Sequence, residues 1–454
     1  MTSTVSGTVP LGDPISSLEK STMRKIHWRI IPYVIFVYFL CFIDRINISF
    51  AGDAMKAELG LTATMFGMGA GIFFIGYFIA EIPSNILLER FGARKWIARI
   101  MISWGTLSTL MFLVKGEYSF YALRFALGFA EAGFFPGIIL YFTYWFPARY
   151  RARVSSKFLM ASPLSTMVGA PLSSWILQYF HGINNMPGWQ WLFIVEGIPT
   201  VLFGIITLFY LTDRPKDAKW LEKEEQEWID NEIMNEKKQI QARRHFSLKD
   251  ALTSPIVLVL GFVYFCTQMP PYAVFMWIPQ LVKQLGTLTT TGSFTQMEIG
   301  FISAIPAFCA IVGLAIWGWN SDRTMERKWH FTSAAVFACI SMLIATYFID
   351  IKSPILALFF LSLCVMGMYA LMAVFWAIPP TILTGAAAAG GIAFINSIGN
   401  LGGFVGPYAI GYLYDKTGGY VTGLIVQAVV IFLGGLVCYL VMNSLKAQGL
   451  ADHT

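Results

Sequence analysis

Apolar residues along the chain fall into twelve segments, each long enough to cross a lipid bilayer. The segments are centred near residues 40, 77, 105, 129, 167, 200, 268, 309, 340, 365, 398 and 432. A membrane-spanning helix needs roughly 20 mainly apolar residues. Segments of this length form helices, because every backbone polar group in lipid must be satisfied within its own segment. The pattern therefore predicts an all-α membrane protein with twelve transmembrane helices.

A single long polar stretch separates the first six spans from the last six. Its charges have the spacing of an amphipathic surface helix, and it is too short to form an enzyme domain. The polar N-terminus is followed by an apolar run too long for a signal peptide, so that run is the first span. We expect a cytoplasmic N-terminal segment (1–29), a six-helix bundle (30–211), a cytoplasmic linker (212–250), a second six-helix bundle (251–443) and a cytoplasmic tail (444–454).

Composition supports a membrane protein and excludes several soluble classes. Apolar residues make up 56% of the 454 positions and charged residues only 13%. A soluble fold could not hide so much apolar surface, which excludes a cytosolic enzyme, a nucleic-acid-binding protein and a disordered chain. Neither a phosphate-binding loop nor a metal-ligand spacing of histidine or cysteine occurs. We therefore expect no enzymatic activity, no cofactor and no metal.

The basic residues are distributed unevenly between the two sides of the predicted membrane. Of the 32 lysines and arginines, 25 fall in the termini and the loops on the same side, and five fall on the opposite side. The positive-inside rule places that richer side, with both termini, in the cytoplasm. We therefore expect a multi-pass protein of the inner (plasma) membrane. The two remaining basic residues, Arg45 and Arg124, lie inside spans.

The two halves carry a repeated charge motif at their cytoplasmic loops. The motif follows span two and recurs after span eight at an offset of 233 residues. Repeats of this kind mark transporters that bind substrate between their halves. We expect the motif to act as a cytoplasmic gate formed by Glu89, Arg90 and Arg94 in the first half and Asp322, Arg323 and Arg327 in the second.

The two intramembrane arginines each have a nearby acid. Arg45 follows Asp44 in span one, and Arg124 lies two helical turns before Glu131 in span four. One interpretation is a pair of structural ion bridges, Asp44–Arg124 and Arg45–Glu131. The other is an anion site in which the arginines bind a carboxylate and the acids exchange protons. Buried ion pairs stabilise a fold poorly compared with apolar packing, which favours the second interpretation.

Other polar residues inside spans are weaker candidates. We expect Glu81 to reach the membrane interface and Glu196 to be structural, and we keep both as reserve candidates for proton coupling. Gln268 is one of few amides inside a span. Asn396 fits a packing hydrogen bond and a ligand contact equally well.

Several motifs together resemble one transporter family. They are residues 42–47 (FIDRIN), 131–136 (EAGFFP), 144–147 (YWFP), 188–191 (GWQW), 375–376 (FW) and 396–403 (NSIGNLGG). With the twelve spans, the repeated loop motif and the linker, the chain resembles the major facilitator superfamily, and within it the anion:cation symporter family. That family includes permeases for tartrate, galactonate, glucarate, phthalate and 4-hydroxyphenylacetate.

The resemblance implies proton-coupled uptake of a small organic carboxylate by alternating access between two pseudo-symmetric bundles. It implies that Asp44 and Glu131 are proton sites and that Arg45 and Arg124 bind the carboxylate. Tyr77, Gln268, Trp376 and Asn396 fall where family members line the substrate cavity. A monomer with an organic anion and protons as its only ligands is expected.

Substrate and direction stay open at this point. We expect a hydroxy acid of the tartrate or sugar-acid type. An aromatic carboxylate of the phthalate or hydroxyphenylacetate type is the first alternative, and a proton-driven exporter or antiporter is the second. A membrane sensor without net transport would need a signalling segment, for which the linker and tails leave little room.

Overall fold

The computed structural model describes residues 17–242, 254–288, 292–379 and 386–447, and these residues form helices and connecting turns without strands. The first three predicted spans are α1 (Ser17–Leu59), α2 (Ala63–Phe91) and α3 (Ala93–Leu110). Span four is α4 (Glu117–Glu131) continued by α5 (Phe134–Trp145). Span five is α6 (Ala148–Leu159) continued by α7 (Ala161–Tyr179), and span six is α8 (Gly188–Tyr210).

The second half repeats this arrangement after the linker helix α9 (Lys223–Ala242). Spans seven to twelve are α10 (Pro255–Gly286), α11 (Gln296–Thr324), α12 (Lys328–Asp350), α13 (Pro354–Phe375), α14 (Ala386–Thr417) and α15 (Val421–Ala447). A helix therefore covers each of the twelve predicted centres, and the predicted architecture is confirmed. Within the described ranges, ten helical stretches are long and apolar enough to cross a membrane on composition alone, while α7 and α14 fall outside that set.

The domain boundaries remain a prediction. The α1 helix begins at Ser17, before the predicted start of the first bundle, and α15 runs to Ala447, past the predicted end of the second. The first sixteen residues, the linker beyond residue 242 and the last seven residues lie outside the described residues.

The break in span four has a clear local cause. Gly133 adopts the left-handed conformation with φ of +86°, and a Cβ there would lie only 2.3 Å from Ser84 Oγ on α2. Only glycine fits a position that combines positive φ with so close a neighbour. The kink therefore ends α4 at Glu131, and this carboxylate stands at the helix terminus, deep inside the bundle.

Among the described residues, the main helix pairs that join the two halves are α1 with α10, α2 with α14, and α7 with α11. The α2–α14 pair packs closely at the end opposite the linker. There a Cβ on Gly67 would lie 2.6 Å from the Pro407 carbonyl oxygen, and one on Gly71 would lie 2.7 Å from that of Phe404. Small residues let helix backbones approach this closely in a membrane. The halves are thus closed on each other at that end.

The linker helix is attached to the first half by ion pairs. Lys25 on α1 contacts Glu225 at 2.9 Å and Glu222 at 3.0 Å. Arg149 on α6 contacts Glu232 at 2.6 Å. Burial alone would raise the pKa of Glu225, but hydrogen bonds from Lys25, the Glu222 backbone N–H and Ser21 outweigh burial and hold that pKa below its usual value. We call the side of the protein that carries α9 and the basic loops the basic face.

We predict that Glu225→Gln loosens the docking of α9. Its side chain is 3% exposed, whereas that of Glu222 is 78% exposed, so Glu222→Gln is the matched control. Backbone hydrogen exchange in α9 should become about two- to fivefold faster in Glu225→Gln. The stabilisation from Glu225 should be complete above the ordinary glutamate pKa and vanish as the pH falls through the lowered value. Equal exchange in the two variants would contradict this account.

Candidate substrate and proton site

A cavity of about 70 Å³ lies between the two halves, midway along the helices. Helices α1, α2, α4 and α7 line it from the first half, and α10 and α13 line it from the second. Among its lining residues the charged ones are Arg45 and Arg124. Both are intramembrane arginines singled out from the sequence. The cavity therefore combines positive charge with a position at the interface of the halves.

Arg45 forms an ion pair with Glu131 at the edge of this cavity. Glu131 is 1% exposed, and it also accepts a hydrogen bond from Cys41 Sγ at 3.2 Å. The Arg45 guanidinium carbon lies 5.0 Å from the Phe42 ring centre and 5.6 Å from that of Tyr77. Aromatic faces attract such a cation. One carboxylate and a wall of rings thus hold the guanidinium beside the cavity.

Asp44 points away from the cavity into a separate polar pocket. It accepts hydrogen bonds from Trp104 Nε1 at 2.8 Å, Ser108 Oγ at 3.1 Å and Thr200 Oγ1 at 2.7 Å. The ion pair Asp44–Arg124 considered from the sequence is therefore wrong. Successive side chains on a helix point about 100° apart, so Asp44 faces α3 and α8 when Arg45 faces α4.

Arg124 is anchored to the backbone of α2. Its Nε donates to the Gly69 carbonyl at 3.2 Å and its Nη2 to the Ala70 carbonyl at 3.1 Å. These bonds fix the guanidinium beside the cavity without neutralising it. Two arginines and one paired carboxylate leave the site with an excess of positive charge, which suits an anion.

The other predicted site residues divide into two groups. Gln268 lines the cavity, and its Nε2 donates to Tyr264 Oη at 2.9 Å. Tyr77 and Trp376 lie outside the lining, Tyr77 against Arg45 and Trp376 against the Tyr264 ring at 4.8 Å. The family resemblance placed all of them in the substrate cavity, whereas the structure puts only Gln268 in the lining.

Asn396 also lies outside the cavity lining, because it bonds to Glu81 across the interface between the halves. Its Nδ2 donates to Glu81 Oε1 at 2.9 Å, and Ser397 Oγ donates to Oε2 at 3.2 Å. The packing alternative therefore describes Asn396 in this structure. Glu81 is 5% exposed and does not reach the membrane interface as expected. The α14 donors satisfy it inside the protein instead.

Sequence reasoning missed five polar residues of the lining: Ser49, Ser162, Thr166, Tyr272 and Tyr369. No local motif marks them. Tyrosines are common in this chain, and serine and threonine occur in many spans for packing reasons. Only the three-dimensional arrangement distinguishes them.

The repeated loop charges form ion pairs on the basic face, and each pair lies inside one half. Arg94 bonds Asp213, which follows α8, through its backbone N–H at 2.8 Å and also contacts it with Nε at 3.7 Å. Asp322 contacts Arg327 at 2.7 Å. Glu89, Arg90 and Arg323 are exposed beside them. These contacts between described residues therefore do not join the two halves, and the role of the loop charges as a gate stays a prediction.

A family model described as Major Facilitator Superfamily matches residues 34–295 and 284–451, which is most of the chain. The chain belongs to the major facilitator superfamily. It is therefore a multi-pass membrane transporter and not an enzyme. The family resemblance predicted from the sequence is confirmed.

Curated relatives share nearly the full length of this superfamily member. A protein of Agrobacterium vitis that is provisionally named a tartrate transporter is 43% identical over 434 residues, 96% of this chain and 98% of its own. A protein of Acinetobacter baumannii named a quinolone resistance transporter is 38% identical over 430 residues, 95% of this chain and 97% of its own.

The crystal structure of a bacterial homolog of the human lysosomal transporter Spinster has the same fold. It superimposes with a TM-score of 0.75 and covers 93% of this chain and 98% of its own, at 14% sequence identity. That structure was solved in an inward-facing, unoccupied conformation. A likeness at this identity establishes the fold and leaves the substrate undecided.

We predict that Glu81→Leu lowers the stability of the joined halves. It leaves the Asn396 amide and the Ser397 hydroxyl without their buried acceptor, which costs about 1–3 kcal/mol. Thermal unfolding in detergent measures the loss. Asn85→Leu is the control, because Asn85 bonds only the Glu81 carbonyl on its own helix among the described contacts. Glu81→Leu and Asn396→Leu combined should cost less than their sum, and strict additivity would contradict the cross-half bond.

Proposed function

We propose that this transporter imports a small organic carboxylate together with protons, by alternating access in the inner membrane. The basic face and both termini are cytoplasmic, and the protein acts as a monomer. One observation carries the proposal: Arg45 is paired with Glu131 at the border of a cavity that also presents Arg124.

The two arginines suit a carboxylate because the guanidinium offers a planar fork of donors. Such a fork binds both oxygens of a carboxylate, which the point charge of a lysine cannot do. Arg124 is already held at two donors by α2 carbonyls, so it is preorganised for a ligand. The positive excess at the cavity attracts the anion.

Proton coupling follows from competition for Arg45. A substrate carboxylate that binds Arg45 separates it from Glu131. A buried carboxylate that loses its partner is strongly disfavoured, by about 3–5 kcal/mol. Taking up a proton removes the charge and so removes that penalty. Binding of the anion and protonation of Glu131 therefore support each other.

The same competition releases the substrate on the cytoplasmic side. When the halves rock and the site opens to the more alkaline cytoplasm, Glu131 loses its proton. The restored carboxylate competes for Arg45 and helps to expel the anion. Asp44 is the second proton site, close to Arg45 on the same helix. The loop charges of Glu89, Arg90, Arg94, Asp322, Arg323 and Arg327 gate the cytoplasmic end.

The substrate class follows from the polar groups around the arginines. Ser162, Thr166, Gln268, Tyr272 and Tyr369 present hydroxyl and amide groups suited to the hydroxyls of a tartrate- or sugar-acid-type anion. The relative provisionally named for tartrate supports this choice. Phe42, Phe74 and Phe275 also line the cavity and would suit the ring of an aromatic acid, which is the alternative substrate.

Uptake by purified protein in proteoliposomes tests the proposal directly. The panel contains tartrate, galactonate, phthalate and 4-hydroxyphenylacetate, each with and without an inward proton gradient. We expect concentrative uptake of tartrate or galactonate that is lost when the gradient is collapsed. Binding or exchange that is the same with and without the proton gradient, with no accumulation, would contradict proton coupling.

A proton-driven exporter is the second candidate function. The observation that favours it is the 38% identical relative named for quinolone resistance. In the same vesicles an exporter would accumulate a quinolone inside while protons move out. A symporter would accumulate the acid inside while protons also move in. Arg45 and Arg124 could hold the carboxylate of either kind of substrate, so the direction of proton movement decides between the two functions.

We predict that Glu131→Gln abolishes gradient-driven accumulation and spares exchange of preloaded substrate. The amide cannot carry the coupling proton, but it still fits the site. Glu117→Gln, at the other end of α4, is the matched control and should accumulate normally. Intact accumulation by Glu131→Gln would remove this residue from the coupling mechanism.

We predict that Arg45→Lys weakens binding of the carboxylate by about 10- to 100-fold, the worth of one or more lost charged hydrogen bonds. Equilibrium binding of the transported acid in detergent measures the change. Arg99→Lys on α3 is the control, because Arg99 stacks on Trp96 at 4.0 Å, away from the cavity. Unchanged binding by Arg45→Lys would show that the guanidinium fork is not used.

A further inference from the structure

A stripe of buried polar groups continues from Asp44 toward the face opposite the basic face. Asn47 follows Asp44 by three residues on α1, and Glu196 precedes Thr200 by four residues on α8. Residues at these spacings share one face of a helix. Thr200 already donates to Asp44 at 2.7 Å. Asn47 and Glu196 therefore form the next polar layer, one turn farther out.

Glu196 is buried and incompletely bonded. It is 5% exposed, and its Oε1 accepts a hydrogen bond from Ser173 Oγ on α7 at 2.8 Å. Its Oε2 accepts none from the described residues. Asn47 faces this carboxylate and is 1% exposed, yet neither polar atom of its amide forms a well-aligned hydrogen bond within the described chain. Buried polar atoms normally form hydrogen bonds, so these unbonded atoms have room for a further partner such as a water molecule or a proton.

The stripe ends near an open cavity on the opposite face. This outer vestibule has a volume of about 560 Å³, and Leu177 and Ile299 are among its lining residues. Ser174 lies one turn inward from Leu177, and Ser303 lies one turn inward from Ile299. Both serine hydroxyls are buried, and in the described structure they too are without a hydrogen-bond partner. The vestibule also comes close to the polar layer itself: Phe50 lines it one turn beyond Asn47 on α1, and Trp189 lines it two turns beyond Glu196 on α8.

Among the described residues, the charged group that faces Glu196 is the Asp44 carboxylate on α1, which disfavours a second negative charge nearby. The other polar groups are the Ser173 hydroxyl on α7 and the Asn47 amide on α1. On α3, Gly105 and Thr109 pack against the neighbouring Gly197. Neither arginine of the central cavity contacts Glu196 in the described structure. Whether Glu196 binds a proton therefore depends on the charge of Asp44 and on access to water in the vestibule.

We propose that Glu196, with Asn47 and Ser173, forms a proton-binding site through which Asp44 exchanges its proton with the outer vestibule. The inference rests on the proposed proton symport and deepens it. One proton reaches the Glu196 carboxylate from water in the vestibule. The same proton then passes to the Asp44 carboxylate, and Glu196 returns to its starting charge. No bond other than those to the proton changes.

The chemistry around Asp44 favours a proton over a metal cation at the Asp44 carboxylate. Trp104 contributes an N–H group, which can only donate and cannot ligate a cation. Ser108 and Thr200 likewise direct their hydroxyl hydrogens to Asp44. The oxygen atoms of Asp44 are therefore occupied by donors. Sodium would need several free oxygen ligands around it, as hard cations generally do.

The test compares Glu196→Gln with wild type in proteoliposomes, using the acid that wild type accumulates. Initial gradient-driven uptake should fall at least about tenfold, because a positioned proton carrier is lost. Exchange of preloaded substrate, which needs no net proton movement, should stay within about twofold of wild type. Glu196→Asp should restore part of the driven uptake. Gln427→Met is the control, since Gln427 on α15 is another buried amide without a partner in the described chain.

The possible results separate the two proposals. We call the proposed transfer of a proton from Glu196 to Asp44 the relay. If wild type shows no gradient-driven uptake of any acid, both proton symport and the relay are overturned. If wild type is gradient-driven and Glu196→Gln equals it, only the relay is overturned. Equal loss of exchange and driven uptake would assign Glu196 to structure and overturn the relay. Driven uptake that follows a sodium gradient would also overturn it.

If Glu196→Gln does not fold, Ser173→Ala provides the second variant. It removes one bond from Glu196 and leaves the carboxylate in place. The relay predicts that the pH dependence of driven uptake shifts in Ser173→Ala while exchange stays within about twofold of wild type. An unchanged pH profile would overturn the proposal.

Discussion

Burying an arginine in span one is tolerable because Glu131 supplies a counter-charge at the same depth. The Arg45–Glu131 pair joins α1 to the end of α4, and the Gly133 kink is what places Glu131 at that helix end. A second arginine, held by α2 carbonyls, adds positive charge beside the pair. The charge of the central cavity, the anion binding proposed there and the proposed coupling all depend on this one ion pair.

The geometry of a single helix divides the polar chemistry into two systems. Arg45 faces the cavity between the halves, while the preceding Asp44 faces α3 and α8 within the first half. In our proposal the first system binds the anion, and the second leads through Glu196 toward the outer vestibule. Substrate and proton would therefore approach the middle of the protein by different routes and meet through neighbouring residues of α1. Close packing of α2 against α14 and the hydrogen bond between Asn396 and Glu81 attach the second half to the first, which carries most of both systems.

The sequence predicted the twelve helices and the two halves. It also singled out Arg45 and Arg124, which both line the central cavity, because charge in lipid is costly and therefore conspicuous. It also anticipated the Arg45–Glu131 pair. It could not assign Asp44 to Trp104, Ser108 and Thr200, since contacts between distant helices have no local signal. The same limit applies to Asn396, whose amide bonds Glu81, and to Tyr272 and Tyr369 in the cavity wall. The orphaned atoms of Asn47 and Glu196 become visible only once burial is known.

The central claim is that the anion and Glu131 compete for Arg45. Proton uptake on substrate binding tests it most directly, measured with a pH indicator in weakly buffered detergent solution near neutral pH. The account predicts that wild type takes up protons from solution as the transported acid is added, in proportion to the sites filled. Glu131→Gln should bind the acid with a clearly smaller proton uptake. Binding without any proton uptake in wild type would contradict the competition and the coupling derived from it.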